Sequence, residues 1–282
     1  MTNPSGDEPR STREFVIAVD GRPPITIRGI EWRSSDPRPI LFLHGGGANA
    51  EWWADVAPAF TDLGTVIALD LRGHGDSDWP PGGPYGFTAF GGDVLAVIEQ
   101  IGRPVALVGA SMGGLVAMFV AARSPLVERL VVVDSPLRPA TGVSERRKRM
   151  STPKRYASRE EAIDRFRVLP SGTLGDPATV RRIAERSIRE LPDGTWQLKY
   201  DPAIFSSGRR GGAASVASRI RAPLLFLRGE RSDLVSEEDV ANLRELVPAA
   251  RTLTLAGANH HLFLDDPEGF VALIRPFLAE RS

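Results

Sequence analysis

The chain of 282 residues has no cysteine, which excludes disulfide bridges, thiol nucleophiles and cysteine-ligated metal sites. It also has no net charge, because 35 basic residues balance 35 acidic ones, so its composition gives no reason to expect nucleic acid or an anionic membrane as a partner. No apolar run approaches a membrane-spanning length, and the first ten residues are polar. We therefore expect no membrane association and a cytoplasmic location.

Metal and phosphate sites also lack their usual patterns. The four histidines, at positions 44, 74, 260 and 261, show no His-x-x-x-His spacing, and two adjacent histidines suit a single metal poorly. The stretch 109–114 has neither the lysine of a P-loop nor the Gly-x-Gly-x-x-Gly spacing of a dinucleotide site. We therefore expect no metal and no cofactor.

Short apolar segments without polar alternation recur along the chain, which is typical of parallel strands covered by helices on both faces. They are residues 39–44, 65–70, 105–110, 128–134, 223–229 and 251–255. Two further β-rich segments, 15–19 and 25–30, predict a hairpin that covers one edge of the sheet. With helical patterns between the strands, the chain predicts an α/β fold with a mostly parallel sheet of eight strands.

The pattern changes between residues 136 and 217, where apolar strands disappear and arginine-rich helical stretches replace them. We interpret 136–217 as a helical cap inserted after the sixth strand. Residues 13–135 and 218–282 then form the α/β core, and residues 1–12 form a flexible tail.

Two helices are predicted within the cap, over 158–169 and from Asp176-Pro177 to position 191. We expect apolar cap residues to shape an apolar pocket and exclude water from it; they are Ile163, Phe166 and Ile188. The arginine clusters at 146–149, 181–182 and 209–210 predict a solvated cap surface, because aromatic residues are not interleaved with them.

The segment 105–119 consists of an apolar run, the pentapeptide Gly109-Ala-Ser-Met-Gly113 and a second apolar run. This pattern is typical of a buried strand that turns sharply into a buried helix. The two glycines are needed because a Cβ would collide where strand and helix pass close together. Such a turn holds the Ser111 hydroxyl above the strand end, beside the Met112 amide at the helix N-terminus, and predicts a nucleophile.

A serine nucleophile needs a base, and the base needs a carboxylate to orient it. In an open parallel sheet the ligand binds beyond the carboxyl ends of the strands, so the residues that follow each strand are the candidates. His260 and His261 follow the last predicted strand and offer the base. Asp233 lies in the loop after strand 223–229 and Asp134 ends the preceding strand. Spacing alone does not decide between these two acids.

Five motifs in this order resemble the α/β-hydrolase superfamily, over nearly all of the chain from position 15 onward. They are His44-Gly-Gly-Gly47, Asp70-Leu-Arg-Gly-His-Gly-Asp-Ser77, Gly109-Ala-Ser-Met-Gly113, Gly229-Glu-Arg-Ser-Asp233 and Gly257-Ala-Asn-His260 with Pro267 beyond. The chain is similar to the cap-bearing branch that contains small esterases, cofactor-free haloperoxidases and meta-cleavage carbon–carbon hydrolases.

The resemblance implies a catalytic serine, acid and histidine in that chain order, which Ser111, Asp233 and His260 provide. His260 is preferred to its neighbour because the family histidine usually stands seven residues before the proline of the closing helix, here Pro267. Asp134 is the alternative acid, since some relatives take the acid from that earlier strand.

The resemblance also implies an oxyanion donor from the loop after His44, at Gly46 or less readily at Gly47, together with Met112. By the same analogy His44 and His74 brace loops and do not transfer protons. Gly45, Trp52 and Trp53 are the candidate substrate contacts, although tryptophans after strands are as often plain core.

These features predict a serine hydrolase that cleaves a small or medium apolar ester or lactone through an acyl-serine intermediate. A carbon–carbon hydrolase of the meta-cleavage type is an alternative that uses the same triad. A ligand receptor that retains the triad is an alternative from another class, and cofactor-free oxygenation is a further one. We expect a small-molecule substrate as the partner. The sequence does not decide between a monomer and a homodimer.

Overall fold

The structure is a computed structural model that describes residues 10–18, 23–137, 145–206 and 214–280. These residues form ten strands: β1 (Arg10–Ile17), β2 (Ile25–Trp32), β3 (Pro39–Leu43), β4 (Thr65–Leu69), β5 (Val105–Ala110), β6 (Val127–Val133), β7 (Ile188–Glu190), β8 (Trp196–Leu198), β9 (Leu224–Gly229) and β10 (Arg251–Leu255). Eight of them form one sheet in the order β1-β2-β4-β3-β5-β6-β9-β10, while β7 and β8 pair with each other.

The described residues also form ten α-helices: α1 (Phe87–Ile101), α2 (Met112–Ala121), α3 (Glu145–Ser151), α4 (Arg159–Arg165), α5 (Pro177–Arg186), α6 (Ala203–Ser206), α7 (Ala214–Ala217), α8 (Glu237–Leu246), α9 (Leu262–Asp265) and α10 (Pro267–Ala279). None of the helices in this part of the chain is long and apolar enough to cross a membrane.

The central strands are buried on both faces, as their continuous apolar sequence predicts. In β3, Leu41 and Leu43 pack into the cluster that contains α1, α2 and α8, whereas Ile40 and Phe42 pack into the cluster that contains α10. Within the large sheet, the six strands β4, β3, β5, β6, β9 and β10 are parallel to one another. Their carboxyl ends therefore meet at one edge, where the loops that carry the site residues lie.

The predicted hairpin is confirmed: β1 and β2 pair antiparallel, and β1 forms the edge of the sheet. Its turn, at 19–22, lies outside the described residues. The predicted flexible tail was too long, because β1 begins at Arg10 and residues 10–12 pair with residues 30–32 of β2. Residues 1–9 lie outside the described part of the chain.

We call residues 145–206 and 214–217, which lie between β6 and β9, the insert. The sequence predicted helices throughout this region, but the insert also contains the antiparallel pair β7 and β8, and Ile188 belongs to β7. The missed signal is Pro192-Asp-Gly194, a turn sequence at which the Leu191 and Thr195 backbones are hydrogen-bonded (2.8 Å). Helices α4 and α5 are accordingly shorter than predicted.

Helix starts were predicted more accurately than helix ends. Ser236 and Asp239 form a capping box at the start of α8, each side chain bonded to the other residue's backbone amide. Helix α10 begins at Pro267 and continues past Pro276 to Ala279, although a proline lacks the N–H that an interior helical position donates.

Helix α2 passes very close to β3 at the carboxyl edge of the sheet. A Cβ added at Gly113 would lie 2.3 Å from the carbonyl oxygen of Leu43, which is closer than any real contact. We therefore expect Gly113→Ala to lower the free energy of unfolding by about 1–3 kcal/mol, the usual cost of overpacking. Urea denaturation measures this change.

Gly86→Ala is the matched control, because a Cβ at Gly86 would meet nothing within 4 Å and its φ of 167° is extended. We expect that variant to unfold within about 0.5 kcal/mol of the parent protein. Equal stability of the two variants would show that the approach of α2 to β3 is not tight.

Candidate active site

Ser111 stands between β5 and α2 on a strained backbone, with φ of 53° and ψ of −117°. A side chain at this φ costs free energy, and such strain concentrates at functional turns. Gly109 permits the turn, because a Cβ there would lie 2.4 Å from the carbonyl oxygen of Gly113. The Ser111 residue itself remains partly exposed, whereas its neighbours in α2 are buried.

His260 lies in the loop after β10, and its Nδ1–H donates to Oδ2 of Asp134 at 2.7 Å. Asp134 follows β6 directly and is fully buried, while His260 is 5% exposed. Because Nδ1 carries the proton in this bond, Nε2 is the ring nitrogen that can accept one. The order β5-β6-β9-β10 places the Asp134 strand between the strands that lead to Ser111 and His260.

The Asp134 carboxylate has two more donors. Its Oδ1 accepts the Gly229 N–H at 3.0 Å, and its Oδ2 also accepts the Ser232 hydroxyl at 2.5 Å. The Ser232 Oγ in turn accepts the N–H groups of Leu234 and Val235. Three donors on its two oxygens hold this buried carboxylate in one orientation.

The prediction that Asp233 orients His260 was wrong, because the structure places Asp134 there and leaves Asp233 exposed. The physical reason is the tight turn after β9, where Ser232 N–H donates to the Gly229 carbonyl at 3.1 Å. This turn aims the Ser232 side chain at Asp134. The motif that was expected to supply the acid thus supplies a hydroxyl donor to it, a role that the sequence analysis missed.

His261 lies beside His260 but has a different environment. Its Nε2–H donates to the Leu169 carbonyl at 3.2 Å, and its ring lies 5.3 Å from that of Trp52. The structure therefore brings His260, and not His261, against the buried carboxylate.

Asn259 and Asp265 connect the His260 loop to the insert. Asn259 Nδ2 donates to the Gly172 carbonyl at 2.7 Å, and its N–H donates to the Asp265 carboxylate at 2.7 Å. The other oxygen of Asp265 accepts from the Thr173 hydroxyl and the Leu174 N–H, both at 2.6 Å. The asparagine at position 259 thus has a structural function here.

The loop after β3 lies against the serine turn. A Cβ at Gly45 would lie 3.9 Å from Ser111 Oγ, and one at Gly46 would lie 3.6 Å from Met112 Sδ. Met112 is the first residue of α2, where an N–H has no partner within the helix. The Gly47 N–H is already used, since it donates to His74 Nε2 at 3.1 Å. Of the amides of Gly46, Gly47 and Met112, that of Gly47 is thus the one already bonded to a side chain.

His44 and His74 are buried and neutral. His44 donates from Nδ1 to the Gly45 carbonyl and accepts the Leu71 N–H on Nε2, and His74 donates from Nδ1 to the Arg72 carbonyl. Burial lowers the pKa of His74 to about 4, and burial together with nearby His74 lowers the pKa of His44 well below its usual range. Both rings thus hold the loop backbone, as the resemblance implied.

Trp53 was predicted as a substrate contact, but the structure places it in the core. It is fully buried, and its ring lies 4.2 Å from Phe263 and 5.1 Å from Phe42. Trp52 lines a cavity that the Gly46 and Gly47 loop borders on one side. The predicted apolar pocket residues separate in the same way, since Phe166 lines this cavity while Ile163 and Ile188 pack into the core.

The cavity lies between that loop and the insert. Its apolar and aromatic lining is provided by Trp52, Met150, Tyr156, Phe166, Leu169, Leu198 and Tyr200. Four basic residues also line it: Arg149, Lys154, Arg165 and Arg167. Arg149 is exposed, as the predicted solvated cap surface requires, and it also lines this cavity. Positions 209–210 lie outside the described residues.

Residues 40–273 match the model of the α/β hydrolase family. An esterase of Mycobacterium tuberculosis is 31% identical over 266 residues, which cover 90% of this chain and 87% of that protein. The sn-1-specific diacylglycerol lipase ABHD11 of Mus musculus is 29% identical, with 85% and 80% covered. A 2-(acetamidomethylene)succinate hydrolase of Mesorhizobium japonicum is 28% identical, with 85% and 87% covered.

Solved structures agree with these relatives. The crystal structure of an E-2-(acetamidomethylene)succinate hydrolase superposes with a TM-score of 0.80 at 25% identity and covers 96% of this chain and 100% of that one. The structure of an esterase from Mycobacterium tuberculosis gives a TM-score of 0.76 at 27% identity, with 96% and 92% covered.

The two neutral loop histidines predict a dependence of stability on pH. The unfolded chain protonates both near pH 6.5, whereas the folded protein does not, so acidification favours unfolding. Between pH 6.5 and pH 5 we expect a loss of about 1 kcal/mol of unfolding free energy per histidine for each pH unit. Urea denaturation over this pH range measures the loss, and His74→Gln should reduce the slope. An equal slope in the variant would contradict the prediction.

Proposed function

Because the chain belongs to the α/β hydrolase family, we propose that it is a serine hydrolase that cleaves a small or medium carboxylic ester or lactone. The observation that carries the proposal is the 2.7 Å hydrogen bond from His260 to the buried Asp134, formed at the sheet edge that also holds Ser111 on its strained turn. A base with a fixed tautomer, at the same sheet edge as a partly exposed serine hydroxyl, supports the activation of that serine.

In the proposed reaction, Ser111 Oγ attacks the carbonyl carbon of the ester while His260 Nε2 accepts the hydroxyl proton. The carbonyl oxygen becomes an oxyanion in the tetrahedral intermediate. His260 then gives the proton to the departing alcohol oxygen, and an acyl-serine remains. In the second half-reaction water attacks the acyl carbon and loses a proton to His260. The bond to Ser111 Oγ then breaks, His260 returns the proton to that oxygen, and the acid and the free serine are released.

In this proposal Asp134, and not Asp233, is the acid that orients His260. Its negative charge stabilises the imidazolium that forms on His260 in each half-reaction, and its bond to Nδ1 keeps Nε2 directed away from the carboxylate. The bonds from Gly229 and Ser232 prevent Asp134 from rotating. We propose Ser232 as a positioning residue for this acid.

The oxyanion is proposed to bind the amides of Gly46 and Met112. The Met112 N–H stands at the N-terminus of a helix, where the aligned backbone dipoles favour negative charge. A glycine at position 46 lets the backbone approach the oxyanion closely. Each donor of this kind contributes about 3 kcal/mol to transition-state stabilisation. The esterase and lipase among the relatives support an ester as the substrate.

Ser111→Ala is expected to remove hydrolysis of 4-nitrophenyl esters, lowering kcat by about 10⁵- to 10⁶-fold, because the triad acts as a unit. The fold should remain, since alanine removes only the hydroxyl. Steady-state kinetics measures the loss, and labelling with a fluorophosphonate followed by mapping of the adduct identifies the nucleophile. A labelled residue other than Ser111, or an unchanged kcat, would contradict the proposal.

Asp134→Asn and Asp233→Asn form a matched pair that tests the assignment of the acid. Asn at 134 removes the charge that stabilises the imidazolium, so we expect kcat to fall about 10³- to 10⁴-fold. Asp233 is exposed, so its variant should stay within about twofold of the parent protein. The reverse result in ester kinetics would restore Asp233 as the acid.

A further inference from the structure

The cavity beside the oxyanion loop has an unusual balance of charge. Arg149, Lys154, Arg165 and Arg167 line it, and no aspartate or glutamate is part of the lining described here. The whole chain carries as many acidic as basic residues, so this excess of positive charge is local.

Among the residues that the structure describes, none of these four cations has a carboxylate partner. Within the described residues, Arg149, Lys154 and Arg165 form no ion pair, and Arg167 donates to the backbone carbonyls of Asp164 and Phe166. Other basic side chains of the insert do find acids. Those of α5 form ion pairs: Arg181 with Asp164 and Glu185, Arg182 with Asp55, and Arg186 with Glu51. Within the described residues, the four cations at the cavity thus have no acidic partner, which is also true of Arg155, Arg159 and Arg189 elsewhere in the insert.

Two acidic residues of α4 have partners that do not line the cavity. The Glu161 carboxylate accepts the Ala157 N–H at 2.8 Å, and Asp164 lies 3.9 Å from Arg181. An anion that enters the cavity therefore meets several cations and no fixed negative charge in the lining.

Neutral donors complete the wall. Tyr156 and Tyr200 line the cavity, and burial raises the pKa of Tyr200 to about 12 and that of Tyr156 above its usual range, so both phenols keep their protons at neutral pH. Trp52 is 6% exposed, and its Nε1–H has no partner among the described residues. The two phenols and the indole each offer an uncharged hydrogen-bond donor, which an anionic ligand can accept.

One residue, Gly46, belongs both to the cavity lining and to the proposed reaction centre. Gly46 lines the cavity and also supplies a proposed oxyanion donor, next to Met112. Apolar side chains lie on the same lining; they are Trp52, Phe166, Leu169 and Leu198. A ligand that reaches from the oxyanion loop into the cavity would thus pass apolar surface and end near cations.

We propose that the substrate of this site is an ester that carries a carboxylate, separated from the scissile bond by a short apolar chain, and that Arg149, Lys154 and Arg165 recognise the carboxylate. This inference rests on the proposed function and gives it a substrate class. It replaces the purely apolar substrate that the sequence predicted.

The test compares matched charged and neutral esters. 4-Nitrophenyl hydrogen adipate carries the anion on the acyl part, and its methyl ester is the neutral counterpart. 4-Carboxyphenyl butanoate and its methyl ester place the anion on the alcohol part. We expect the protein to favour the charged member of one pair in kcat/KM, with the preference falling as salt rises.

Arg165→Gln and Lys154→Gln should each reduce that preference by about three- to tenfold while leaving the neutral ester within about twofold. Arg159→Gln is the matched control, because Arg159 is an exposed arginine of the same helix as Arg165 and does not line the cavity. Preference for the neutral ester in both pairs would overturn the proposal. So would an equal effect of the Arg159 and Arg165 variants.

A binding measurement separates failure of this inference from failure of the proposed function. Calorimetry with free adipate and the Ser111→Ala protein should show binding that weakens at least threefold with Arg165→Gln added and not with Arg159→Gln. If neutral esters are hydrolysed through Ser111 but adipate does not bind, the substrate class is wrong and the reaction stands. If no ester is hydrolysed, adipate binding alone decides about the cavity.

Discussion

The arrangement depends on how closely backbones approach one another at the carboxyl edge of the sheet. At Gly113 a single added carbon would meet the Leu43 carbonyl at 2.3 Å, and at Gly229 it would meet the Asn259 carbonyl at 2.2 Å. The first approach joins the serine turn to the oxyanion loop, and the second joins β9 to the loop of His260. With no side chain between them, the backbones of these loops lie close together at one edge of the sheet.

The structure uses its histidines in two ways, and burial alone does not distinguish them. His44, His74 and His260 are all almost completely buried. The ring nitrogens of His44 and His74 are both bonded to backbone groups, so these rings have nothing left with which to exchange a proton. The Nδ1–H of His260 instead donates to the Asp134 carboxylate. The hydrogen-bond partner of each ring, and not its exposure, distinguishes the two histidines that hold loops from the proposed base.

The fold was readable from the sequence because continuous apolar strands and a glycine-flanked serine are local patterns. The acid was not, because Asp134 and Asp233 both follow strands that end at the same edge, and the choice depends on how the turn at Ser232 is directed. The charge of the cavity was hidden for a similar reason: Arg149, Lys154 and Arg165 come from different turns of the insert, and only folding brings them to one wall. The β7 and β8 pair was missed although Pro192-Asp-Gly194 is a turn sequence, because the helical pattern before it was extended too far.

Asn259 and Asp265 are hydrogen-bonded to residues 172–174, so the loop that carries the proposed base is anchored to the insert. Any displacement of residues 172–174 that widens the entrance must either break these bonds or pull on the loop of His260. The position of the proposed base is thereby linked to that of a segment of the insert 87 to 92 positions earlier in the chain.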